Sequence, residues 1–152
     1  NADLSQSELT GADLSNAELY NTQLMGANLS EANLAGADLQ KAKLTNTNLR
    51  RANLTSAWLL SAQLQDANLS QANLFKSTLN SANLQDANLS QANLMEASLI
   101  KANLQDVDLQ DADLNKTILF KASVSKAALI KAQLCLTSLP DYTMRSRDCD
   151  RS

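Results

Sequence analysis

Leucine recurs at every fifth position through most of this chain. The centres run from residue 4 to residue 139 in steps of five, and each is Leu except Val124. The residue two places before each centre is Ala or another small or β-branched residue, and the residue directly before it is often Asn or Asp. The sequence is therefore a tandem array of one five-residue unit, A(N/D)LXX, from residue 2 to about residue 140.

A period of five fits neither an α-helix nor a flat strand. At about 100° per residue, successive leucines on a helix would lie roughly 140° apart and would not form a buried stripe. In a flat strand the side chains alternate with period two, so an odd spacing would send successive leucines to opposite faces.

A square coil places all the leucines together. Three extended residues with Leu pointing inward, followed by two turn residues, form one side, and four sides close a coil of 20 residues with Ala near the corners. Similarity at 20 residues is also visible, because SAQLQDANLSQANL at 61–74 becomes SANLQDANLSQANL at 81–94. We therefore predict an all-β, quadrilateral β-helix of seven coils over residues 1–140. Its Leu-filled interior should leave no channel and no sizeable pocket, and a short tail, residues 141–152, should cap it.

The turn residues predict a change of turn type along the chain. A type II turn requires positive φ at its second central residue, which favours Gly or Asn. Such residues hold this position only in the first third of the chain: Gly11, Asn16, Asn21, Gly26, Gly36 and Asn46. We expect more type II turns there, and more type I or irregular turns later.

The A(D/N)LXX unit resembles the pentapeptide-repeat family. The resemblance covers about 140 of the 152 residues. It implies a right-handed quadrilateral β-helix, and the Leu-centred form is similar to cyanobacterial members. Family members that protect DNA gyrase by mimicking DNA often carry Phe at the centre, whereas no centre here is Phe.

The composition argues against catalysis and against nucleic-acid binding. The chain has no His, and its formal net charge is −3. It contains no nucleophile–base pair, no Gly-rich phosphate loop and no metal-ligand cluster. We therefore expect no catalytic residue, no cofactor, no metal and no nucleic-acid partner. No apolar run is long enough for a transmembrane helix, so we expect no membrane contact by this segment.

Large apolar residues at outward positions are the strongest candidates for a site, because exposed apolar patches mark interaction surfaces. The candidate partner surface comprises Trp58, Leu60, Phe75, Met95, Ile100, Ile118 and Phe120. The alternative is that these are scattered surface residues without a partner.

Polar residues also align at a spacing of 20. Amide ladders between coils are expected from Asn28, Asn48, Asn68 and Asn88, and from Gln65, Gln85 and Gln105. Asp66, Asp86 and Asp106 align beside the glutamines, where a cation is a minor alternative to a solvated face. Lys116, Lys121, Lys126 and Lys131 are expected at the four corners of one coil.

The two cysteines lie near the C-terminus. A disulfide between Cys135 and Cys149 would pin the tail to the last coil, with Tyr142 and Met144 folded over it; free thiols are the alternative. The disulfide would indicate a periplasmic or thylakoid-lumen-like compartment, and free thiols the cytoplasm.

These features favour a non-enzymatic interaction or scaffold module with an unknown protein partner. The alternative is a DNA mimic that binds DNA gyrase or topoisomerase, and a purely structural spacer is a third hypothesis. Because the chain opens within a repeat at Asn1, we expect a processed protein or a domain of a larger one. Dimerisation through the ends or through the apolar face is also expected from the open β-helix.

Overall fold

The computed structural model describes residues 2–149, so residues 150–152 of the predicted tail lie outside it. From Asp3 to Ile118, with the exception of Asp108, parallel bridges join the outward residue before each leucine to the residue 20 positions later. One column of bridged residues passes through seven coils: Asp3, Gln23, Lys43, Gln63, Asn83, Asn103 and Ser123. The predicted all-β square coil is therefore confirmed. Coils are numbered below in blocks of 20 from Ala2, so that coil 3 spans residues 42–61.

Regular secondary structure is short because each side contributes only one or two residues between turns. The described strands are β1 (Asn103–Leu104), β2 (Ser123–Val124), β3 (Thr137–Ser138) and β4 (Met144–Arg145), with one helix, α1 (Lys126–Ile130). Strand β1 pairs in parallel with β2, and β3 pairs antiparallel with β4. Elsewhere the sheet on each side consists of single-residue parallel bridges.

The leucines form one continuous core along the axis. Those from Leu24 to Leu119 are almost completely buried, and the alanines at the corners are buried beside them. Leu9 in coil 1 is only half-buried, because leucines cover it from one side only. Each leucine also anchors the stacking: the Leu69 amide donates to the Asn88 carbonyl at 2.7 Å.

Buried hydroxyl groups replace Ala at several corners without leaving an unpaired donor. Thr47 Oγ1 donates to the Leu24 carbonyl at 2.8 Å, and Thr117 Oγ1 donates to the Leu94 carbonyl at 2.7 Å. Each of these carbonyls also accepts the amide that closes its own turn. The hydroxyl therefore donates its hydrogen bond to the second lone pair of the turn carbonyl.

The turns do not change type along the chain, so that prediction is wrong. The second turn residue has a positive φ in every turn from Gln6 to Lys121, including Glu, Lys, Arg, Asp, Gln and Ser. Each turn is closed by a bond such as the Ala102 amide to the Leu99 carbonyl at 3.0 Å. The same turn is bonded to the next coil, since the Lys101 amide donates to the Phe120 carbonyl at 2.8 Å. A different turn would break this bond, so stacking imposes left-handed φ despite a cost of about 1–2 kcal/mol per non-Gly residue.

The last coil departs from the repeat at one corner. Helix α1 replaces the turn predicted at Lys126, and Lys131 has φ of −79°. The Ser125 side chain caps the helix by accepting a bond from the Ala128 amide at 3.1 Å. The described chain completes no further coil above this side, so no neighbouring coil imposes a turn here. The backbone conformation is therefore set by the local helix cap. The predicted four-cornered ring of lysines is therefore wrong.

The tail covers the last coil through its backbone more than through its side chains. Strand β4 pairs with β3, which is itself bridged to Ile118 in the coil below. Tyr142 and Met144, however, expose 73% and 61% of their surfaces. The prediction that these two side chains fold over the coil is therefore wrong for Met144, whereas the Tyr142 ring contacts Phe120 although most of its surface is exposed.

Leu69→Ala should destabilise the solenoid by about 3 kcal/mol, because its cavity lies between two complete coils. Leu9→Ala is the matched control and should cost about 1–2 kcal/mol, since its side chain is already partly in water. Urea denaturation followed by circular dichroism measures both. Equal costs at the two positions would contradict a core that is sealed by stacking from both sides.

Alanine substitutions at Gly11 and Gly36 distinguish the cost of backbone strain from the cost of steric crowding. Both have positive φ, but an added Cβ at Gly11 meets nothing within 4 Å, whereas at Gly36 it would lie 2.4 Å from Asn16 Oδ1. Gly11→Ala should cost about 1–2 kcal/mol from φ alone, and Gly36→Ala should cost more. Thermal unfolding of the two variants provides the comparison, and the opposite order would show that the Asn16 side chain yields freely.

Candidate protein-binding surface and C-terminal cap

One side of the solenoid, called here the Trp58 side, carries the predicted partner residues. Its middle column contains Trp58, bridged to Asp38 below and Thr78 above. The corner column that precedes it contains Phe75 and Met95, and the corner column that follows it contains Leu60, Ile100 and Phe120; this assignment follows from the 20-residue register. All seven predicted residues therefore lie on one side or at its two corners.

Trp58 and Leu60 form the first apolar cluster, on coil 3. They flank the buried Leu59 and expose 57% and 39% of their surfaces. Four other coils place a polar or acidic residue where Trp58 stands, namely Glu18, Asp38, Thr78 and Ser98, whereas coil 6 places Ile118 there. Trp58 thus replaces a polar residue at a position that requires no large side chain for packing.

Phe75 and Met95 form a second cluster on successive coils. Both are half-buried. The Lys76 amide donates to the Met95 carbonyl at 3.1 Å, so the two residues are stacked in register. Lys76 Nζ also lies 5.0 Å from the centroid of the Phe75 ring, a cation–π contact that leaves the charge in water.

A third cluster lies near the C-terminal end. Ile100 and Phe120 are half-buried at one corner, and Ile118 is exposed on the adjacent middle column. Phe120 packs against Tyr142 of the tail, with ring centroids 4.0 Å apart and an interplanar angle of 57°. The contact with Tyr142 was not predicted, because the turn after Pro140 that returns Tyr142 to this corner has no repeat signature.

Polar residues separate these clusters. Thr78 and Ser98 lie between Trp58 and Ile118 in the middle column, a gap of three coils or about 14 Å. Asn80 lies between Leu60 and Ile100, and its Oδ1 accepts bonds from Ser98 Oγ at 2.7 Å and from the Ile100 amide at 2.9 Å. The Trp58 side is therefore a row of apolar clusters joined by polar residues, and it is not one continuous apolar face.

The asparagines before the leucines join neighbouring coils through side-chain hydrogen bonds. Asn48 Nδ2 donates to Asn28 Oδ1 at 3.0 Å, which confirms the predicted ladder at this pair. Asn28 Oδ1 also accepts hydrogen bonds from the amide and the hydroxyl of Ser30, which lies in the turn that follows Asn28. Further bonds of the same kind join Asn33 to Asp13, Asn53 to Asn33, Asn93 to Asn73, and Asn103 to Asn83. These side chains are structural, since their polar groups are used within the fold.

The glutamine and aspartate columns do not form a metal site. Gln85 Nε2 donates to Asp86 Oδ2 at 3.1 Å within the same coil. Among residues 2–149, no group of three or more acidic, Cys or His side chains is placed to hold a metal ion.

Positive charges interrupt the acidic residues along the corners. Glu96 pairs with Lys76 at 3.6 Å and with Lys116 at 3.4 Å, one coil to either side. Arg51 pairs with Glu31 at 3.6 Å and donates to Gln71 Oε1 at 2.8 Å. These exposed pairs contribute little to stability, but they alternate the sign of charge where a DNA mimic would present a run of acids.

A disulfide joins the tail to the last coil. Cys135 and Cys149 are bonded, with their Cα atoms 4.7 Å apart. Beside it, the Asp148 carboxylate accepts a bond from the Leu134 amide at 3.1 Å, and the Asp148 amide donates to the Leu134 carbonyl at 3.2 Å. Arg147 donates to the Ala132 carbonyl and to the Asp148 carboxylate.

A cleft of about 360 Å³ lies between α1 and the tail, where none was expected. Its lining is Lys126, Leu129, Ile130, Leu134, Leu139, Asp141, Arg145 and Arg147. Leu129 and Leu134 form a buried floor. The cleft exists because the helix and the tail replace the coil that would otherwise cover these leucines, so the expectation from a uniform repeat does not apply here.

A search with protein-family models decides the family. The model for pentapeptide repeats matches in eight copies, over residues 1–30, 32–71, 62–99, 72–111 and 97–134. The chain belongs to the pentapeptide-repeat family. No curated protein matches the sequence.

Solved pentapeptide-repeat structures share the fold. HetL from the cyanobacterium Nostoc sp., which is involved in heterocyst differentiation regulation, is 28% identical with a TM-score of 0.54, covering 95% of this chain and 88% of its own. Rfr23 from the cyanobacterium Cyanothece is 40% identical with a TM-score of 0.59, covering 60% and 63%. A pentapeptide-repeat protein of the Arabidopsis thaliana thylakoid lumen is 25% identical with a TM-score of 0.66, covering 69% and 73%. The right-handed β-helix and the likeness to cyanobacterial proteins are thus confirmed.

The described part of this pentapeptide-repeat chain contains no helix long and apolar enough to cross a membrane. Its single described helix, α1, has five residues.

Asp141, at the rim of the cleft, should titrate below its ordinary value. The Thr143 hydroxyl and amide donate to Asp141 Oδ1 at 2.6 and 3.1 Å, and these bonds, with the charge of Arg145, lower the pKa of the carboxyl from 3.8. Because this pKa is lower in the folded protein than in the unfolded chain, the bonds stabilise the tail hairpin fully at pH values above the unfolded pKa. That stabilisation is lost as the pH falls through the folded pKa. Thr143→Val should raise the pKa of Asp141 towards 3.8, as measured by carboxyl-carbon NMR. The pKa of Asp13, lowered by its bonds with Ser15, should stay unchanged as the internal control.

Proposed function

We propose that this chain is a non-enzymatic protein-interaction module that binds a partner protein through the Trp58 side. The observation that carries the proposal is Trp58 itself, which exposes 57% of its surface in a column where four of the other coils carry a polar or acidic residue and coil 6 carries Ile118. Trp is among the residues that contribute most to protein interfaces, because it buries a large rigid surface at low entropic cost. The fold does not require it there, since Thr78 and Ser98 occupy the same position in complete coils.

The arrangement of the Trp58 side supports an extended partner. Clusters at Trp58/Leu60, Phe75/Met95 and Ile118/Phe120 lie along the axis on coils 3 to 6. Polar groups such as Thr78 Oγ1 lie between them. A partner that runs along the axis would place apolar residues on the clusters and polar groups between them, which is how interfaces combine apolar anchors with a polar surround.

The disulfide supports an oxidising compartment as part of the same proposal. Disulfides persist in secreted, periplasmic and similar spaces and are rare in the reducing cytosol. The Arabidopsis protein of similar fold belongs to the thylakoid lumen. We therefore propose a periplasmic or lumenal space for the partner. The DNA-mimic hypothesis gains no support, since cations alternate with acids at the corners.

Trp58→Thr/Leu60→Ser should abolish partner binding while leaving the fold intact, because both substitutions introduce residue types that other coils tolerate at the surface. Met25→Ser is the matched control, since Met25 is also exposed (41%) but lies on a different side. Immobilised wild-type and variant domains would be incubated with the oxidising-compartment fraction of the source cell, and retained proteins identified by mass spectrometry and then titrated individually. We expect one protein bound by the wild type and by Met25→Ser, with at least about tenfold weaker binding to the double variant, as for loss of a hot spot.

Retention of the same protein by all three domains would reject the Trp58 side as the site. Retention of no specific protein by the wild type would favour the spacer hypothesis. Circular dichroism of the double variant checks that its fold is unchanged.

A further inference from the structure

The tail is attached to the solenoid by few non-covalent contacts. Residues 141–147 are all exposed, so the segment buries little apolar surface, which is the main force that holds a chain segment in place. Its backbone pairing is a two-residue antiparallel ladder between β3 and β4, and short two-stranded ribbons are marginal on their own.

One further backbone bond, from the Leu139 amide to the Thr143 carbonyl at 2.7 Å, lies beside this ladder, and other contacts lie at the two ends of the tail. At one end the Tyr142 ring packs on Phe120 at 4.0 Å between centroids. At the other, Arg147 and Asp148 bond to the backbone of Ala132 and Leu134. Because these polar bonds exchange with water at little net gain, the covalent bond between Cys135 and Cys149 is the principal restraint on the tail.

The disulfide is placed where a reductant can reach it. Cys135 and Cys149 are each only half-buried, and Leu136, next to Cys135, is exposed. Cys135 lies at the outer turn of the last coil, outside the leucine core, and its amide donates to Asn115 Oδ1 at 2.7 Å. Breaking the S–S bond therefore requires no opening of the coils.

Release of the tail would expose a specific surface. Beneath it lie Leu134, Leu139 and the cleft against α1, together with the edge of β3 that β4 now pairs. In the oxidised protein the tail covers this end of the solenoid. Without the tail, the end would present unpaired strand groups and apolar side chains, which are the features that bind other chains.

We propose that the Cys135–Cys149 disulfide is a reversible redox site, whose reduction by a dithiol releases the tail and uncovers the C-terminal end of the solenoid. A thiolate of the dithiol attacks one sulfur, the S–S bond breaks, and a mixed disulfide forms while the other cysteine leaves as a thiolate and takes up a proton. The second thiol of the reductant then displaces the first cysteine, which is protonated in turn. Two electrons pass to the protein, which gains two thiols, and the reductant becomes a disulfide.

Hydrogen exchange of tail amides in the wild-type domain tests the proposal. The informative amides are Leu134, Leu139, Tyr142 and Asp148, whose bonds join the tail to the coil or close its turn. After reduction with dithiothreitol these amides should exchange at least about tenfold faster, because the disulfide no longer restrains local opening of the tail. The Leu69 amide, bonded deep in the core, should be unchanged. Reoxidation should restore protection, and a titration against the ratio of reduced to oxidised dithiothreitol should follow a two-electron curve.

Two variants sharpen the test. Cys135→Ser/Cys149→Ser should reproduce the reduced state without reductant. Tyr142→Ala in the oxidised protein should accelerate exchange of the Leu134 and Asp148 amides by less than about threefold, because the disulfide still holds the tail. The proposal is overturned if protection of the tail survives reduction, if protection is lost throughout the solenoid, or if the disulfide is reduced only after denaturation.

Discussion

The register of hydrogen bonds between coils governs the rest of this structure. From Leu4 to Leu99 each leucine amide donates to a carbonyl in the next coil, and from Gln6 to Lys101 the amide of each second turn residue does the same. Because both bonds recur on every side, the length of a side, the position of its turn and the direction of its inward residue are fixed by the coil beneath. One-dimensional stacking of this kind makes each coil depend mainly on its neighbours.

This constraint explains which predictions from the sequence were correct. The period of five and the similarity at 20 residues determine where the leucines point, and the structure buries them as expected. The turn type was predicted wrongly because residue preference was applied to each turn separately. Lys101 and Glu96 would choose negative φ in isolation, but the bonds from their amides to the next coil require positive φ. Local preference decides the backbone only where the stack ends, as at Ser125 and α1.

The candidate surface was predictable as a set of residues but not as a shape. Counting by 20 assigns Trp58 and Ile118 to one column without showing what the intervening residues do. The bonds that Asn80 Oδ1 accepts from Ser98 and Ile100 depend on side-chain geometry, and they divide the surface into clusters. The contact of Phe120 with Tyr142 depends on the path of a tail that has no repeat, which no periodicity can supply.

The Trp58 side and the C-terminal cap are physically continuous. The corner column that contains Phe75 and Met95 continues through Asn115 to Cys135, and the middle column continues through Ile118 and Ser138 to β4. Tyr142 lies on the third column, against Phe120. All three columns of the proposed binding side thus end under the segment that the disulfide restrains. A partner that extends along this side towards the C-terminus must therefore meet the tail, so the position of the tail would set how far along the solenoid the partner can bind.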